Sequence, residues 1–593
     1  MSEAQNLANR LGGMNPFSKG RKRRDEDDAG DEMDLNAVAG GGHSVRVIDA
    51  KKNSLRVSNS LKSFLVKEKV LAEHDAGFDS AEHTPALASL LTKSHIRVPP
   101  SVVDRSFTLQ DYFVSSSHNT YLVAHQLYGA SNVDAYRVAL RAGSRCVEID
   151  AWDNDNNKEE PKVTHGFTLV SNIPFRTVCE AIRDVVDEEI SEAAKTGSPS
   201  PTPILISLEN HCDAHGQKRL VEILNETLGH RLLRAPIQKD NEGLDYDATK
   251  HVRLSDLGCQ VVVIVEHHLQ DEAPDSGSSS SSDSSSDSSG DEEDKKAREE
   301  YKKKKKKKKS TGSGVIIPEL EALGVYAQSV KPGNNSWFDP GELINAPHHH
   351  LVNVSESSLR QHLPANKAKI AQHNSKHLMR VFPKGTRISS NNLQPVPFWG
   401  IGAQICAMNW QRFDASMQIN EALFSGTEGY VLKPAGIRAG GSGLVTTGRK
   451  KKLKLHAAGA TDVPSPGTND PKDLRPYLTC VLVHPDDLKN EPPKQKTSPY
   501  KQRKLDFLRR GDNPPPTEPI WDEVLEWEYE DSELVFLRML VKSDESFAKN
   551  PILGVAAVRL LYLVPGWNFI ELLDLKGRET KCSILVKFDI EDA

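Results

Sequence analysis

Aromatic side chains make up only 6% of the 593 residues and apolar ones only 37%, against roughly 45–50% apolar residues in an ordinary globular domain. A chain with so little to bury does not fold along its whole length. No run reaches the about 18 apolar residues that a helical membrane span needs. The best candidate, Leu553–Pro565, is short and carries Arg559, and the polar N-terminus has no apolar signal segment. A soluble, cytoplasmic protein is the expectation. Cysteine is scarce too: the seven thiols (Cys146, Cys179, Cys212, Cys259, Cys406, Cys480 and Cys582) show no CxxC spacing. That pattern speaks against a disulfide framework or a cysteine zinc site and for reduced thiols. Nor is there a dominant charge, since 76 basic and 82 acidic residues leave a net −6. No global field recommends nucleic acid as a partner, so a polyanion would have to be met by local clusters.

The length exceeds what one hydrophobic core supports and suggests several units. Residues 1–58 are rich in Gly, Asp, Lys and Arg, a composition that reads as a disordered tail. Its Gly20-Arg21-Lys22-Arg23-Arg24 reads first as a solvated basic run and second as a nuclear-import signal. Residues 59–103 hold two apolar-periodic stretches around Leu61–Leu71 and Leu87–Leu91, which predict two short helices with no calcium-loop pattern between them. From 104 to 269 strands and helices alternate: a helix over 132–143, a strand over 145–150, a helix over 175–194, a strand over 204–209, a helix over 215–229 and a strand over 260–266. Such repeats predict a parallel sheet or β/α barrel. Residues 270–314 break the pattern with a Ser/Asp run and eight lysines, Lys302–Lys309, opposed charge blocks that read as a disordered linker. The pattern resumes over 315–440, and residues 441–593 turn to strands separated by long polar loops, the texture of a β-sandwich.

Along the strand at 145–150, alternation puts Cys146, Glu148 and Asp150 on one face and Val147 and Ile149 on the other. Two carboxylates thus meet at the carboxyl end of a strand, where barrels carry their sites. Glu209 ends the strand at 204–209 and adds a third. Oxygen donors of this kind suit a hard cation such as calcium. Each acid alone reads more simply as a solvated strand end, but three on neighbouring strands weaken that reading. His118 and His165 flank the same strand ends, and paired imidazoles near such a cation suit phosphodiester chemistry, in which one stabilises the crowded phosphorus and another protonates a leaving oxygen.

These residues lie in longer motifs. Leu109-Gln110-Asp111-Tyr112-Phe113, Ser117-His118-Asn119-Thr120-Tyr121-Leu122, Val147-Glu148-Ile149-Asp150-Ala151-Trp152-Asp153, His165-Gly166-Phe167-Thr168-Leu169 and Ser207-Leu208-Glu209-Asn210-His211-Cys212 resemble the X region of eukaryotic phosphoinositide-specific phospholipase C. His377-Leu378-Met379-Arg380-Val381-Phe382-Pro383-Lys384-Gly385, Ser389-Ser390-Asn391-Asn392, Asn409-Trp410-Gln411 and Gly429-Tyr430-Val431-Leu432-Lys433-Pro434 resemble its Y region. The resemblance is to a delta-like form without a preceding pleckstrin-homology domain. It implies a multidomain α/β plus all-β chain: a (β/α)8 TIM-like barrel split into X and Y halves by the linker, then a C2-like β-sandwich. Residues 59–103 would be a reduced EF-hand-like lobe. It also implies that Asn119, Glu148, Asp150 and Glu209 bind one Ca2+, that His118 stabilises the pentacoordinate phosphate, and that His165 protonates the departing diacylglycerol oxygen. The inositol 2-hydroxyl would attack its own 1-phosphate to give a cyclic phosphate that water opens, with Glu148 and Glu209 as candidate bases.

The chain departs from the family pattern at the headgroup. Where animal members end the strand before the linker in lysines, this sequence has Glu266, His267 and His268. Arg380 matches the phosphate-binding arginine, while Asn353 stands for a serine and Phe382 for a tyrosine. Arg380, Asn353, Phe382 and His267 are then the headgroup contacts, and weak selection for the bisphosphate is expected. The apolar membrane ridge maps to Leu127, Leu169 and Thr386. Two leucines give only weak insertion, so Lys302–Lys309 are expected to reinforce contact with an anionic membrane surface, the neighbouring acidic run acting as an autoinhibitory switch. In the C-terminal domain Arg475 stands where a C2-like domain usually has an aspartate before Pro-Tyr, and Lys542-Ser543-Asp544-Glu545-Ser546 lacks the usual acid pair, so a mainly structural role is expected. The implied partners are phosphoinositide lipids and no nucleic acid, the protein a monomer. Two rivals remain: a catalytically weak inositol-lipid scaffold, which should lack a catalytic histidine or metal acid, and a phosphodiesterase for soluble glycerophosphodiesters, which would need neither Arg380 nor the sandwich.

Overall fold

The computed structural model describes residues 55–593 apart from 81, 123–130, 166–170, 238–249, 270–314, 386, 388–389, 466–472, 503–512 and 545–549. The basic run 20–24, the Ser/Asp and polylysine segment, and the three ridge positions Leu127, Leu169 and Thr386 all lie outside the described residues.

Three short helices begin the described chain: α1 (Asn59–Lys67), α2 (Glu73–Ala76) and α3 (Pro85–Thr92). The first and third start on side-chain caps, Ser58 accepting from the amide of Leu61 and Thr84 from that of Leu87, with Pro85 pre-set for the first helical position. One turn of helix, as in α2, is too short to show a period, which is why the sequence predicts only the other two. Leu61, Phe64, Leu65, Leu87 and Leu91 pack on Ala458, Phe569 and Leu585, so this lobe docks on the C-terminal domain.

The middle of the chain contains the strands β1 (Tyr112–Val114), β2 (Cys146–Trp152), β3 (Lys162–Val163), β4 (Ile173–Pro174), β5 (Ile204–His211), β6 (Val261–Glu266), β7 (Gln328–Val330), β8 (His350–Ser355), β9 (Leu378–Phe382), β10 (Ile405–Cys406) and β11 (Tyr430–Leu432). Eight of them, β2-β5-β6-β7-β8-β9-β10-β1, pair in parallel in that order. A parallel bridge from Ser116 to Cys146 brings the extension of β1 back to β2 and closes the barrel. Alternation sorts the side chains as the sequence predicts. Val114, Cys146, Leu205, Val262, Ile264, Leu351, Leu378 and Ile405 fill the interior. Val147, Ile149, Ile206 and Val263 face the helices α4 (Asp134–Arg141), α5 (Phe175–Thr196) and α6 (Ala214–Leu228). The strands carrying the acids run two residues beyond the predicted 145–150 and 204–209, because Trp152 and His211 stack at their ends with ring centroids 4.2 Å apart.

The C-terminal strands β12 (Thr446–Thr461), β13 (Pro476–Val483), β14 (Lys494–Lys496), β15 (Ile520–Ser532), β16 (Phe536–Ser543), β17 (Ile552–Arg559), β18 (Gly566–Leu573) and β19 (Glu579–Asp592) are all antiparallel, in the order β14-β13-β16-β17-β18-β19-β12-β15. β17 and β18 share one residue pair, Val555 with Leu573. There the sheet turns over into a sandwich around Leu455, Leu478, Met539, Ile570 and Ile584. The sandwich joins the barrel through Phe536, Leu540 and Tyr562, packed with Trp399 and Phe424. Arg538 Nε donates to Gln418 Oε1 at 2.6 Å and Tyr562 Oη to the carbonyl of Leu423 at 3.0 Å.

Candidate functional site

The site grows out of the carboxyl ends of β2 and β5. Parallel pairing sets Asp150 opposite Glu209, and carboxylate oxygens of Glu148, Asp150 and Glu209 all lie within 4.8 Å of one another. Glu148 is fixed from two sides: Oε2 accepts the amide of Asn119 at 2.7 Å and Oε1 meets Arg380 Nη2 at 2.7 Å. Asp150 Oδ2 accepts Tyr121 Oη at 2.7 Å, while its Oδ1 is buried without a hydrogen-bond partner. Asn119 adopts φ 44°, a left-handed conformation that asparagine tolerates better than most residues, and its Oδ1 lies 3.3 Å from Tyr121 Oη.

One arginine serves three acids, Glu148 and Asp150 buried and Glu209 half-buried. Burial pushes the Glu148 carboxyl up, but Arg380 first, then His118 and the Asn119 amide, pull it down to about 2. Asp150 and Glu209 go the other way, raised by burial and then by the Glu148 charge. Arg380, 1% exposed, is disfavoured by burial, yet Glu148 and Glu209 hold it firmly charged. Crowded carboxylates, an orphaned Asp150 oxygen and an adjacent amide oxygen on Asn119 make an all-oxygen donor set, which fits a hard dication such as calcium and not a soft one.

His118 follows the strand that closes the barrel. Its Nδ1–H donates to Asn409 Oδ1 at 2.9 Å, and Asn409 is held in turn by Nδ2 donating to the carbonyl of Asn391 at 3.2 Å. This leaves Nε2 as the ring's second polar atom. Burial lowers the His118 pKa, with Glu148 opposing. His165 stands just beyond β3, and the amide of its neighbour Thr164 donates to the Asp150 carbonyl at 3.3 Å, which places the residue beside the end of β2. Asn409 lies in the Asn409-Trp410-Gln411 motif, 291 residues from His118, and only the fold brings the two together.

Asn353, Arg380 and Phe382, expected at the headgroup, lie on the adjacent strands β8 and β9. Asn353 of β8 pairs with Arg380 of β9 in register, and Arg380 Nη1 donates to Asn353 Oδ1 at 3.2 Å while the guanidinium lies 6.0 Å from the Phe382 ring centroid. Arg380 is expected as a phosphate contact. In this structure its shortest ionic contact is Glu148, because the buried acids need a counter-charge. His267 Nδ1 is engaged by Glu321 Oε1 at 2.9 Å. Glu266 lies 3.7 Å from Lys331 Nζ, just past β7. That lysine escapes the sequence reading because only the pairing of β6 with β7 brings it to Glu266.

In the C-terminal domain the amide of Asp544 donates to the carbonyl of Arg475 at 3.0 Å, and residues 545–549 lie outside the described ones. Among the described residues no cluster of three or more potential metal ligands occurs there.

Comparison with known proteins agrees with this architecture. Residues 105–267 match the X domain of phosphatidylinositol-specific phospholipase C, and residues 320–436 match its Y domain. The chain is 34% identical over 541 residues to 1-phosphatidylinositol 4,5-bisphosphate phosphodiesterase 1 of Candida albicans, covering 82% of this chain and 48% of that protein. It is 30% identical over 499 residues to the delta-1 phosphodiesterase of Rattus norvegicus, covering 82% of this chain and 61% of that protein. The chain therefore spans about half to three fifths of the length of these curated relatives. The crystal structure of L. pealei PLC21 superposes with a TM-score of 0.64 at 23% identity, over 92% of this chain and 66% of that one, a likeness of fold. With both halves of the barrel matched in order, the chain belongs to the phosphatidylinositol-specific phospholipase C family.

Proposed function

We propose that the protein is a calcium-dependent phosphoinositide phospholipase C, which hydrolyses phosphatidylinositol phosphates to diacylglycerol and inositol phosphates. One observation carries the reading: Glu148, Asp150 and Glu209 converge around an unpartnered Asp150 oxygen beside His118. The relatives' names, phosphatidylinositol 4,5-bisphosphate phosphodiesterases, support the substrate class. The scaffold rival should lack one of these groups, and all are present. The glycerophosphodiester rival leaves the Y half's Arg380 and the packed sandwich without a purpose.

Asn119, Glu148, Asp150 and Glu209 would hold the calcium ion. When bound, the ion lowers the pKa of the inositol 2-hydroxyl and offsets charge on the phosphate. The 2-hydroxyl loses its proton to a carboxylate and its oxygen bonds to phosphorus. Glu209 suits the base role better than Glu148, whose two oxygens are committed to Asn119 and Arg380. His118, held through Nδ1 by Asn409, presents Nε2 to the crowded phosphate. The bond from phosphorus to the diacylglycerol oxygen breaks as His165 supplies that oxygen with a proton. Water then opens the cyclic phosphate by the reverse proton movements. Because nucleophile and phosphorus belong to one molecule, the first step needs little beyond orientation.

The enzyme would act as a cytoplasmic monomer at the anionic membrane surface where its substrate lies, with the lysines of 302–309 and the ridge positions 127, 169 and 386 as membrane contacts. No helix among the described residues is long and apolar enough to cross a membrane. The test is calcium-titrated hydrolysis of phosphatidylinositol and its mono- and bisphosphates by wild type and His118→Ala. Turnover should require calcium and vanish in the variant while its melting temperature stays near that of wild type. Calcium-independent turnover, or an active variant, refutes the proposal.

A further inference from the structure

Six histidines gather at the other end of the barrel. His350 opens β8 and His377 immediately precedes β9, so both stand at the amino ends of strands of the same parallel barrel in which β2 and β5 carry the acids at their carboxyl ends. Ring contacts link His251 to His348, His349 and His377, and link His350 to His373 and His377. Within this group, ligand nitrogens of His251, His348 and His349 all lie within 4.8 Å of one another. Burial is graded: His349 is buried, His251 half-buried and His348 exposed, which gives access from solvent to one side of the cluster. His251 Nδ1 is buried without a hydrogen-bond partner.

The backbone around the three rings is fixed. The carbonyl of His349 accepts the amide of Gln328 at 3.1 Å, and the carbonyl of Val252, next to His251, accepts the amide of Leu109 at 2.9 Å. His349 packs edge-on against Tyr326. Behind the trio, His350 stacks on His377 with centroids 3.8 Å apart and its Nδ1–H donates to the carbonyl of Pro347 at 2.9 Å. The Asp111 carboxylate lies within electrostatic reach of His251. The buried Lys433 also feels the Asp111 charge, and its Nζ donates to the carbonyl of Asn374 at 2.9 Å.

We propose that His251, His348 and His349 form a site for a transition-metal dication of the zinc class. Three imidazoles suit zinc, cobalt, nickel or copper, whereas calcium prefers oxygen, so the two metal chemistries separate to opposite ends of the barrel. Nitrogen ligands at 2.0–2.1 Å in a tetrahedral site stand roughly 3.3 Å apart, which small side-chain rotations would achieve. His251 precedes the 270–314 segment and His348 and His349 follow it, so the metal would clip the two halves of the barrel together.

The experiment uses the full chain stripped with a chelator and then titrated with Zn2+ or Co2+. Bound metal is read by atomic absorption after gel filtration, and ligation by the Co2+ visible spectrum. Wild type should retain one Zn2+, give the Co2+ spectrum of a nitrogen-ligated tetrahedral site, and melt a few degrees higher with Zn2+. His348→Ala, at an exposed position that leaves the fold intact, should bind about tenfold more weakly or worse and lose the thermal shift. His215→Ala, a surface histidine paired with Glu159, should behave as wild type, and excess Ca2+ should not displace the metal. Absence of retained zinc in wild type, equal retention by His348→Ala, or a Co2+ spectrum of oxygen ligation overturns the proposal.

Discussion

Replacing Arg380 by methionine keeps the volume of the side chain and removes its charge, and the consequence is large because the guanidinium is 1% exposed. It lies 2.7 Å from Glu148 Oε1, 3.9 Å from Glu209 Oε1 and 3.2 Å from Asn353 Oδ1. Breaking a buried ion pair from one side costs about 3–5 kcal/mol, against a typical total stability of roughly 5–15 kcal/mol. The loss should depend on pH. In wild type the folded pKa of Glu148 is depressed to about 2, with burial overcome by Arg380, so its contribution is present above the unfolded value and is lost as pH falls through the folded one. In the variant burial dominates and the folded pKa rises. That penalty is absent below the unfolded pKa and grows as pH rises through the new folded value. The stability gap should therefore be full near pH ~7, shrink as the pH falls, and become small only near pH ~2, where Glu148 is protonated in both proteins. Calcium should narrow the gap, since added positive charge replaces part of what the arginine supplied. The assay is denaturant unfolding at several pH values with and without calcium. A gap below about 1 kcal/mol, or one flat in pH, would mean that Arg380 does not balance the acids.

The remaining predictions concern the same rim. Turnover of phosphatidylinositol, its monophosphate and its bisphosphate in mixed micelles should agree within about tenfold, because β6 lacks two charge-assisted contacts of roughly 1.5–3 kcal/mol each; a bisphosphate preference beyond a hundredfold refutes this. Lys331→Ala, which removes the cation 3.7 Å from Glu266, should depress bisphosphate turnover while leaving unphosphorylated lipid nearly unaffected. Asn409→Ala frees the His118 ring and should lower kcat by about a hundredfold with little change in KM, whereas a purely structural role for Asn409 would alter stability and leave kcat in place.

What could be read in advance follows from how far apart the cooperating residues lie. Glu148 and Asp150 share a face by the two-residue repeat of a strand, and Glu209 ends the next predicted strand, so the acidic cluster follows from local pattern plus the order of a barrel. The β12 strand is visible in sequence only as Leu453-Lys454-Leu455, because its outward residues are Lys, Arg and Thr and a register shift at Ala457/Gly459 breaks its alternation. Lys331 beside Glu266, Asn409 behind His118, and His251 against His348 and His349 are each made by pairing of strands or loops distant in sequence, and no local period announces them. The pairing of Arg380 with Glu148 is of this kind too. The motif identifies the arginine, but the charge it meets depends on which acids the barrel buries.

The acids that would bind the metal lie in the first half of the barrel, and the cation that balances them lies in the second. β2 and β5 supply Glu148, Asp150 and Glu209, whereas Arg380 and Asn353 come from β9 and β8. The interior is shared in the same way, Cys146, Leu205 and Val262 packing with Leu351, Leu378 and Ile405. Residues 55–269 alone would keep the crowded carboxylates without Arg380, expose the partner edge of β6, and open half of the interior to water. Such a fragment should be insoluble or molten, and adding residues 315–593 in trans should restore a cooperative melt and calcium-dependent turnover together. Recovery of the melt without turnover would show that the two pieces can find the fold yet miss the register that sets Arg380 on Glu148. A fragment that folds and binds calcium by itself would show that the arginine is not what makes the three crowded acids tolerable.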